Sequence, residues 1–518
     1  MIELKSYVCD KWAAGQGKQT VLVNPATEEE IGKTSTEGVD FAKAHAHARD
    51  VGGPSLRALT FRQRSEILKA MSRTIHAHRD ALLDCAIESG GVTRSDAKFD
   101  VDGASGTLAY YAELGAELGD GRIVMDGDAF QLGRSSRLFG GHAWVSRLGV
   151  AVHVNAFNFP AWGLAEKAAC ALLAGMPVIS KPATSTAMLS FRMMELFVAE
   201  KILPEGALAF IAGSVGNLLD HLDGQDVLAF TGSSSTGGML RSGKAVVSHN
   251  VRVNVEADSL NAAVLGPDAT EGSDTWNLFI TDVARDMTQK TGQKCTAIRR
   301  IYVPKERAAE VVGALKERLA QTKVGNPSHE EVTMGPVATA QQLRDVREGI
   351  GQLAKAARIE VGGAGAVDGI GAPKGKGYFV APTLLVSSSP SPTDAVHTLE
   401  VFGPCATVIP YDGTAAEAAR FVRAGGGGLV SSVYSDDREF IPAFVLGSAP
   451  SLGRVTIGSA KIAGQAIPPG MVMPSLIHGG PGRAGGGEEL GGRRGLTFYM
   501  HRVALQGDRA LVEATLKG

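Results

Sequence analysis

The chain has 518 residues, which is more than a single hydrophobic core supports, so we expect at least two domains. Its 52 basic and 54 acidic residues leave a net charge of −2. This balance argues against a nucleic acid or a membrane surface as a partner, because both attract proteins through a basic field. With 44% hydrophobic and 20% charged residues, the composition is that of an ordinary globular protein.

The cysteines and the apolar segments indicate a cellular location. The five cysteines are Cys9, Cys85, Cys170, Cys295 and Cys405. They have neither the spacing of a disulfide framework nor that of a zinc site, so we expect a reducing cytoplasm and no bound metal. The opening MIELKSYVCDKW lacks the apolar core of a signal peptide, and the longest apolar window, Ala168–Ile179, is too short and interrupted to span a bilayer.

The first half of the chain alternates apolar runs with helical patterns. Strands are predicted at Val150–Val154, Pro177–Ser180, Leu208–Ala212, Val227–Phe230 and Val251–Glu256. Helices are predicted between them at Ala161–Ala174, Thr186–Glu200 and Gly237–Val247. This alternation predicts a parallel sheet covered by helices on both faces, with a nucleotide at the carboxyl ends of the strands.

The second half repeats the alternation and predicts a second α/β domain. Its strands are predicted at Arg300–Val303, Cys405–Tyr411, Leu429–Tyr434 and Arg454–Ile457. Its helices are predicted at Trp276–Lys290, Arg307–Gln321 and Ala415–Ala424. We interpret the glycine-rich segment Gly479–Gly495 as a tight crossing at the surface, and Leu496–Leu505 after it alternates like a strand.

A glycine- and serine-rich turn separates a predicted strand from a predicted helix. In Phe230–Gly237 (FTGSSSTG), Gly232 and Ser233 are placed to present backbone N–H groups to a diphosphate at the start of the helix. The alternative is a plain turn whose serine only caps the helix. The local sequence does not separate these two interpretations.

Three polar side chains next to predicted elements have the chemistry of covalent catalysis. Cys295 lies in the polar turn GQKCT, Asn158 in NAFNFP could donate to an oxyanion, and Glu256 ends the strand VRVNVE. We expect partial burial to raise the pKa of Glu256 towards the range of a general base. The alternatives are an inert packed cysteine, a helix-capping asparagine and a surface glutamate.

Six short motifs, in order, resemble the signature set of the aldehyde dehydrogenase superfamily: FNFP, SKPA, FTGS, VEADS, GQKCT and EVFGP. The resemblance covers nearly the whole chain. It implies an α/β fold with a Rossmann-type NAD(P)-binding domain (1–126 and 147–257), an α/β catalytic domain (258–478) and a small bridging strand element (127–146 and 479–518). In this family the bridging element pairs across a dimer interface, so we expect a homodimer.

The resemblance also assigns catalytic roles. Cys295 matches the nucleophile that forms a thiohemiacetal and then a thioester with the aldehyde. Asn158, with the backbone N–H of Cys295, matches the oxyanion site, and Glu256 matches the base that activates water. Lys167 matches a lysine behind the site that serves as relay and support. His153 and His478 carry no assigned role, and we expect each to be a structural hydrogen-bonding residue.

The cofactor residues follow from the same motifs. The positions that match the nicotinamide-nucleotide site are Phe157, Lys181, Thr184, Thr231, Gly232, Ser233, Glu400 and Phe402. Many members that prefer NAD have a glutamate where this chain has Thr184. Because a missing carboxylate removes repulsion against a 2′-phosphate that Lys181 can attract, we predict a preference for NADP. The alternative is an enzyme that uses NAD as well.

Departures from the common motifs indicate a subfamily. Glu256–Leu260 (EADSL) replaces the usual Glu-Leu-Gly-Gly-Lys, and the late glycine motif lacks its usual lysine, serine and arginine. The segment HGGPGRAGGGEELGG resembles dehydrogenases of aerobic benzoyl-CoA and phenylacetate degradation. This implies a CoA-linked aldehyde as substrate, 3,4-dehydroadipyl-CoA semialdehyde. The alternatives are a broad-specificity aldehyde dehydrogenase, a CoA-acylating dehydrogenase, which generally lacks the base, and a catalytically silent binding protein.

Overall fold

The computed structural model describes residues 1–388, 391 and 393–516. The chain begins with the strands β1 (Ile2–Leu4), β2 (Ser6–Val8), β3 (Lys11–Ala13), β4 (Thr20–Val23) and β5 (Glu30–Thr34). The helices α1 (Phe41–His47), α2 (Gly53–Arg57), α3 (Phe61–Ala77), α4 (Arg79–Gly90) and α5 (Arg94–Leu118) follow. The next strands are β6 (Val124–Met125), β7 (Phe130–Gln131) and β8 (Leu138–Ser146).

The predicted parallel sheet of the first half is present. Its elements are β9 (Ala151–Val154), α6 (Pro160–Leu173), β10 (Val178–Lys181), α7 (Ala187–Ala199), β11 (Leu208–Phe210), β12 (Val227–Thr231), α8 (Ser234–Arg241), α9 (Lys244–His249) and β13 (Arg252–Glu256). The strand order is β13-β12-β9-β10-β11-β2-β3, parallel from β13 to β11 and antiparallel at the β2 and β3 edge. The chain reverses its direction of sheet growth between β9 and β12, which is where a doubly wound sheet opens a ligand crevice.

The single helix predicted at Gly237–Val247 is wrong in one respect. It is two short helices, α8 and α9, that are interrupted at Ser242 and Gly243. Gly243 has an extended backbone, and its low helix propensity together with that of Ser242 explains the break.

The second α/β sheet lies in the predicted place. Its elements are β14 (Asn261–Leu265), α10 (Asp274–Thr288), β15 (Ile298–Pro304), α11 (Ala308–Ala320), α12 (Ala340–Leu353), β16 (Arg358–Val361), β17 (Thr383–Val386), α13 (Ala395–Thr398), β18 (Cys405–Tyr411), α14 (Ala415–Arg423), β19 (Gly428–Tyr434), α15 (Phe440–Ser448) and β20 (Leu452–Gly458). The order is β16-β17-β18-β15-β14-β19-β20, and only β16 is antiparallel to its neighbour. Its inner strands β14, β15 and β19 are buried along their whole length, as expected for parallel strands covered on both faces.

The last part of the chain differs from the prediction. It contains β21 (Ile477–Gly479), β22 (Glu488–Leu490), α16 (Arg493–Phe498), β23 (Met500–Asp508) and α17 (Arg509–Leu516). The glycine-rich segment is not a surface crossing, because much of it is buried and β21 pairs with β22. A Cβ on Gly485 would lie 2.2 Å from the carbonyl oxygen of Val255, so glycine is needed for this close approach to β13. The strand predicted from Leu496 begins only at Met500.

A separate antiparallel sheet joins two distant segments of the chain. β23 pairs with β8 from Met500 opposite Ser146 to Asp508 opposite Leu138, and β6 and β7 also pair with β8. β7, β8 and β23 lie in the segments predicted to form the bridging element, whereas β6 lies just before the predicted boundary at residue 127. Residues 517 and 518 of that predicted element lie outside the described residues. Within the described part of the chain, no helix is both long and apolar enough to cross a membrane.

Candidate active site

The candidate site lies where the two large sheets face each other. β9, β12 and β13 end at the crevice, and their carboxyl ends supply Asn158, Thr231 and Glu256 respectively. Cys295 comes from the opposite side, from the loop between α10 and β15. The described structure thus brings the three predicted catalytic residues, Cys295, Asn158 and Glu256, into the wall of one cavity of about 40 Å³.

The loop that carries Cys295 is held in one conformation. Lys290 and Thr291 have left-handed backbones, with φ of 51° and 55°. A Cβ on Gly292 would lie 2.2 Å from the carbonyl oxygen of Gly403, so the loop packs backbone against backbone. The Asn261 side chain donates hydrogen bonds to the carbonyls of Cys295 (2.8 Å) and Ala297 (2.9 Å). These contacts fix the position of Cys295, the predicted nucleophile.

The Cys295 thiol lies in a setting that disfavours its ionisation. Burial raises its pKa well above the ordinary value, and the nearby carboxylates of Glu256 and Glu166 raise the pKa further. Its Sγ atom lies 3.6 Å from Nε2 of His478. The thiolate, which is the nucleophilic form, therefore depends on donors placed beside the sulfur.

Glu256 is buried and lies 3.0 Å from His478, measured from Oε1 to Nε2. Burial alone would raise its pKa, but the charges of His478 and Lys167 outweigh this and lower it. The expectation of a raised pKa was therefore wrong, because the sequence did not reveal that His478 lies beside Glu256. Glu256 is an ionised, paired carboxylate in this structure.

Asn158 is buried and does not cap the following helix. The residue at the N-cap of α6 is Phe159, so the capping alternative does not apply. The side chain of Asn158 lies in the wall of the small cavity together with Cys295 and His478. Its amide is therefore available to an oxygen atom that develops charge beside Cys295.

Lys167 lies behind the site, on α6, and is almost fully buried. Its Nζ atom forms ion pairs with Glu166 (2.8 Å) and Glu489 (3.1 Å). Burial favours the neutral amine, but Glu166, Glu489 and Glu256 together raise the pKa of Lys167 above its ordinary value. Burial raises the pKa of Glu489 to about 7. Lys167 opposes this rise, whereas the carboxylates of Glu166 and Glu256 add to it. The lysine thus neutralises a buried group of carboxylates.

A larger cavity of about 480 Å³ continues from the reactive residues. Its walls include Phe157, Asn158, Ala183, Thr231, Gly232, Ser233, Glu256, Asp258, Cys295, Glu400, Phe402 and Arg483. Lys181 and Thr184 adjoin this cavity through Ala183 in the chain, but they are not among its lining residues. The volume and the walls, which include both Cys295 and Ala183, are compatible with a dinucleotide whose reactive end lies beside the cysteine.

Glu400 and two aromatic rings shape the part of this cavity near Cys295. The backbone N–H of Ser259 donates to Glu400 (3.1 Å). Burial raises the pKa of Glu400 to about 7, Arg299 opposes this, and Asp258 adds to it. The rings of Phe157 and Phe402 meet edge to face, with centroids 5.8 Å apart. This arrangement suits a carboxylate that accepts from sugar hydroxyls beside a planar ring.

The predicted diphosphate turn is only partly available. The backbone N–H of Gly232 donates to the Glu256 carbonyl (3.1 Å), so in this structure it is engaged within the protein. Gly232 and Ser233 both line the larger cavity, and their role in binding a diphosphate stays a prediction. The side chain of Ser233 caps α8 by accepting from the N–H of Thr236 (3.3 Å). The carboxylate of Asp258 accepts from the N–H of Ser234 (3.0 Å) at the same helix end. The common motif has a glycine where this chain has Asp258, so the motif did not predict this contact.

Comparison with known proteins identifies the family of this chain. The family model described as "Aldehyde dehydrogenase family" matches residues 12–504. The chain belongs to the aldehyde dehydrogenase family. The predictions of family, fold class and enzyme class are thereby confirmed, and the protein is an oxidoreductase that acts on aldehydes.

Among named relatives, this aldehyde dehydrogenase is similar to the 3,4-dehydroadipyl-CoA semialdehyde dehydrogenase of Aromatoleum evansii. The two are 42% identical over 480 residues, which is 93% of each chain. It is also similar to Protein MaoC of Klebsiella aerogenes, with 39% identity over 180 residues, which is 35% of this chain and 52% of MaoC. The first relative therefore covers nearly the whole enzyme.

Solved structures of the family share the fold at low sequence identity. Betaine aldehyde dehydrogenase of Staphylococcus aureus, in complex with NAD⁺, superimposes with a TM-score of 0.85 at 22% identity and 98% coverage of both chains. Lactaldehyde dehydrogenase of Escherichia coli gives a TM-score of 0.84 at 23% identity, with 98% of this chain and 99% of that chain covered. These likenesses confirm the fold.

The two histidines of this aldehyde dehydrogenase differ in their surroundings. His478 contacts both Cys295 and Glu256, so the expectation of a purely structural residue does not describe its position. His153 is buried in β9, and neither of its ring nitrogens has a hydrogen-bond partner within the described part of the chain. Its ring packs edge to face against Tyr499. His478 precedes the glycine-rich segment, but no local signal in the sequence predicted its contact with Cys295.

Proposed function

We propose that the protein oxidises a CoA-linked semialdehyde to the carboxylate with NADP, through a thioester on Cys295. One observation supports this above all. Cys295, Asn158 and Glu256 surround one small cavity that is continuous with the cavity for a dinucleotide. A nucleophile, an oxyanion donor and a separate base are what a two-stage oxidation requires.

The first stage forms a covalent bond to Cys295. The thiolate attacks the aldehyde carbon, an S–C bond forms, and the negative charge moves to the carbonyl oxygen. Asn158 and the backbone N–H of Cys295 stabilise this oxyanion. A nicotinamide bound beside the cysteine supplies the acceptor for the two electrons that the substrate carbon loses. The product of this stage is a thioester, and Glu400 and Phe402 are the residues that would orient the cofactor.

The second stage hydrolyses the thioester. Glu256 takes a proton from a water molecule, whose oxygen attacks the acyl carbon. The tetrahedral oxyanion collapses, the C–S bond breaks, and the sulfur leaves as a thiolate while the carboxylic acid is released. Lys167 supports this stage as a positioning residue, because its charge lies among the carboxylates behind Glu256.

The preference for NADP is supported by the charges beside Ala183. Lys181 is half-buried, and within the described residues it forms no ion pair that would occupy its ammonium group. Thr184 introduces no negative charge there. A 2′-phosphate on the adenosine ribose would therefore meet an attractive lysine and no repulsive carboxylate.

The choice of substrate is supported by the relative that covers 93% of this chain and is named for a CoA semialdehyde. Transfer to free CoA, as in a CoA-acylating dehydrogenase, is disfavoured by the buried Glu256 at the site, because such enzymes generally lack the base. Oxidation with water as the acyl acceptor uses this carboxylate directly.

We also propose a homodimer joined through the sheet of β6, β7, β8 and β23, and a cytoplasmic location. Phe130, Leu138 and Leu511 expose large apolar side chains on or beside this sheet, by 53%, 45% and 70%. A second copy that covers them would remove apolar surface from water. The five free cysteines favour a reducing compartment. The domains would then be cofactor binding (1–126, 147–257), catalysis (258–478) and bridging (127–146, 479–518).

A comparison of substrates and cofactors tests this proposal. NADP and NAD are offered in turn, each with a CoA-linked semialdehyde and with the matching free aldehyde, and the acyl product is analysed. We expect the highest kcat/KM for the CoA-linked substrate with NADP and a free carboxylate as product. Equal use of free aldehydes would contradict the substrate assignment, and a new CoA thioester as product would contradict hydrolysis.

A further inference from the structure

One ring nitrogen touches both reacting side chains of the proposed mechanism. Nε2 of His478 lies 3.0 Å from Oε1 of Glu256 and 3.6 Å from Sγ of Cys295. The reacting atoms of these three residues all lie within 4.8 Å of one another. His478 is 4% exposed, and β21 holds it opposite Glu489 of β22, so the ring is fixed in the site.

The 3.0 Å contact indicates where the ring carries a proton. A lone pair on Nε2 would be repelled by a carboxylate oxygen 3.0 Å away, so this nitrogen carries a hydrogen. The hydrogen bond it makes is to Sγ of Cys295, whereas Oε1 of Glu256 is at ion-pair distance and has no hydrogen-bond partner of good geometry among the described residues. The Nε2–H group therefore faces two groups that are anionic in their active forms, the Glu256 carboxylate and the Cys295 thiolate. One donor serves two acceptors.

The charges around His478 keep this donor protonated. Burial lowers the pKa of His478, and the charge of Arg454 lowers it further. The nearby carboxylates of Glu256 and Glu166 outweigh both, so the pKa lies above its ordinary value. Glu489 and Lys167 also face this region, but Lys167 is already held by Glu166 and Glu489. His478 is thus the N–H donor in contact with the sulfur, and Arg454 is a second cation in the same region.

We infer that His478 is a catalytic residue whose Nε2–H is used in turn by the two reacting groups: it pairs with the Cys295 thiolate when that sulfur is charged and with the Glu256 carboxylate when it is not. This inference rests on the proposed function. It adds a shared donor, which lies on the late glycine-rich segment, to the nucleophile, the base and the oxyanion site.

The proton balance follows from this assignment. In the resting state Cys295 is a thiol, and Nε2–H lies between its sulfur and the Glu256 carboxylate. The thiol proton passes to Glu256, and Nε2–H then donates to the thiolate. After the thioester has formed, the sulfur is neutral, Glu256 releases its proton to solvent, and its carboxylate regains Nε2–H.

Hydrolysis then returns the site to its starting state. Glu256 takes a proton from water, the C–S bond breaks, and the departing thiolate receives Nε2–H as donor. The proton on Glu256 passes to the sulfur and restores the thiol, while the carboxylic acid loses its own proton to solvent. His478 keeps its Nε2 proton throughout, so it acts as a donor and not as a base.

The ionisation of Cys295 tests this inference without any substrate. The rate of alkylation by iodoacetamide is measured against pH for the wild type, His478→Phe and His478→Gln, with Cys295→Ser as the blank for the other cysteines. We expect His478→Phe, which lacks a donor, to move the midpoint for Cys295 upward by about one pH unit or more, which is a tenfold loss of rate near neutrality. His478→Gln, which keeps an N–H donor, should recover most of the rate.

Several outcomes are decisive. An identical pH profile for wild type and His478→Phe would overturn the inference, as would a Gln variant no better than Phe. If His478→Phe does not fold, the donor-free His478→Met replaces it in the comparison with His478→Gln. Because alkylation needs neither aldehyde nor cofactor, failure of the wild type to oxidise aldehydes would contradict the proposed function alone.

Discussion

Oε1 of Glu256 lies 3.0 Å from Nε2 of His478, with both side chains buried. This contact keeps the carboxylate ionised and holds its pKa below the ordinary range. A general base works best with a pKa near the working pH, so a paired Glu256 is a weak base in the resting state. Glu256 becomes a stronger base as the departing sulfur gains negative charge and draws Nε2–H away from the carboxylate.

Asn158 provides the first prediction. Asn158→Ala removes an amide donor from the cavity wall beside Cys295, where the oxyanion develops. We expect kcat to fall by about 10²- to 10³-fold with little change in KM, as for other oxyanion donors. Steady-state kinetics of aldehyde oxidation measure both. A fall in cofactor affinity with an unchanged kcat would instead place Asn158 among the cofactor contacts only.

The cofactor preference provides the second prediction. Thr184→Glu places a carboxylate near the proposed 2′-phosphate position, and Lys181→Met removes the attractive charge. Each change should lower the ratio of kcat/KM for NADP over NAD by about tenfold or more, the equivalent of about 1.4 kcal/mol. Measurement of both cofactors with one aldehyde gives this ratio. Unchanged ratios in both variants would remove the physical basis for an NADP preference.

The third prediction concerns pH and Glu400. Because burial raises the pKa of Glu400 to about 7, this carboxyl loses its proton as the pH rises through neutrality. The ionised form is the stronger acceptor for ribose hydroxyls, so NAD should bind several-fold more tightly at about pH 8 than at about pH 6. NAD is used because it has no titrating 2′-phosphate. Glu400→Gln should abolish the pH dependence of the dissociation constant, and the same slope in both proteins would refute the assignment.

The buried lysine behind the site provides the fourth prediction. Lys167→Met leaves Glu166 and Glu489 without their cation, so we expect a loss of about 3–5 kcal/mol in the free energy of unfolding. Urea denaturation measures this value. Lys69→Met is the matched control, because Lys69 and Glu66 form an exposed pair at 3.7 Å and should contribute little. Equal losses in the free energy of unfolding for Lys167→Met and Lys69→Met would show that the charge of Lys167 does not stabilise Glu166 and Glu489.

The sequence was sufficient to predict those elements whose pattern is local. Buried parallel strands such as Ala151–Val154 appear as continuous apolar runs, and the polar residues that follow them mark the crevice. The candidate catalytic residues could be named because they lie in short motifs with a known order. The fold class, the two sheets and the meeting of Cys295, Asn158 and Glu256 could therefore all be predicted.

The sequence was not sufficient where a partner comes from far along the chain. His478 is 183 positions from Cys295, and no pattern near either residue predicts the contact. The lowered pKa of Glu256 depends on that same contact, so its direction was predicted wrongly. The glycine-rich segment was misplaced for a related reason. Its glycines suggest a turn, whereas Gly485 allows close packing against β13, which only the folded chain shows.

The most direct test of the central claim is to trap the acyl group on the enzyme. Glu256→Gln is mixed with NADP and a CoA-linked semialdehyde, NADPH formation is followed in time, and the protein is analysed by mass spectrometry. We predict a burst of about one NADPH per active site, because hydrolysis lacks its base, and an acyl group on the peptide that contains Cys295. The burst should be slower than the first turnover of the wild type, because the thiol proton must then pass to solvent. Continued NADPH formation with unmodified Cys295, or an acyl group on another cysteine, would contradict the account.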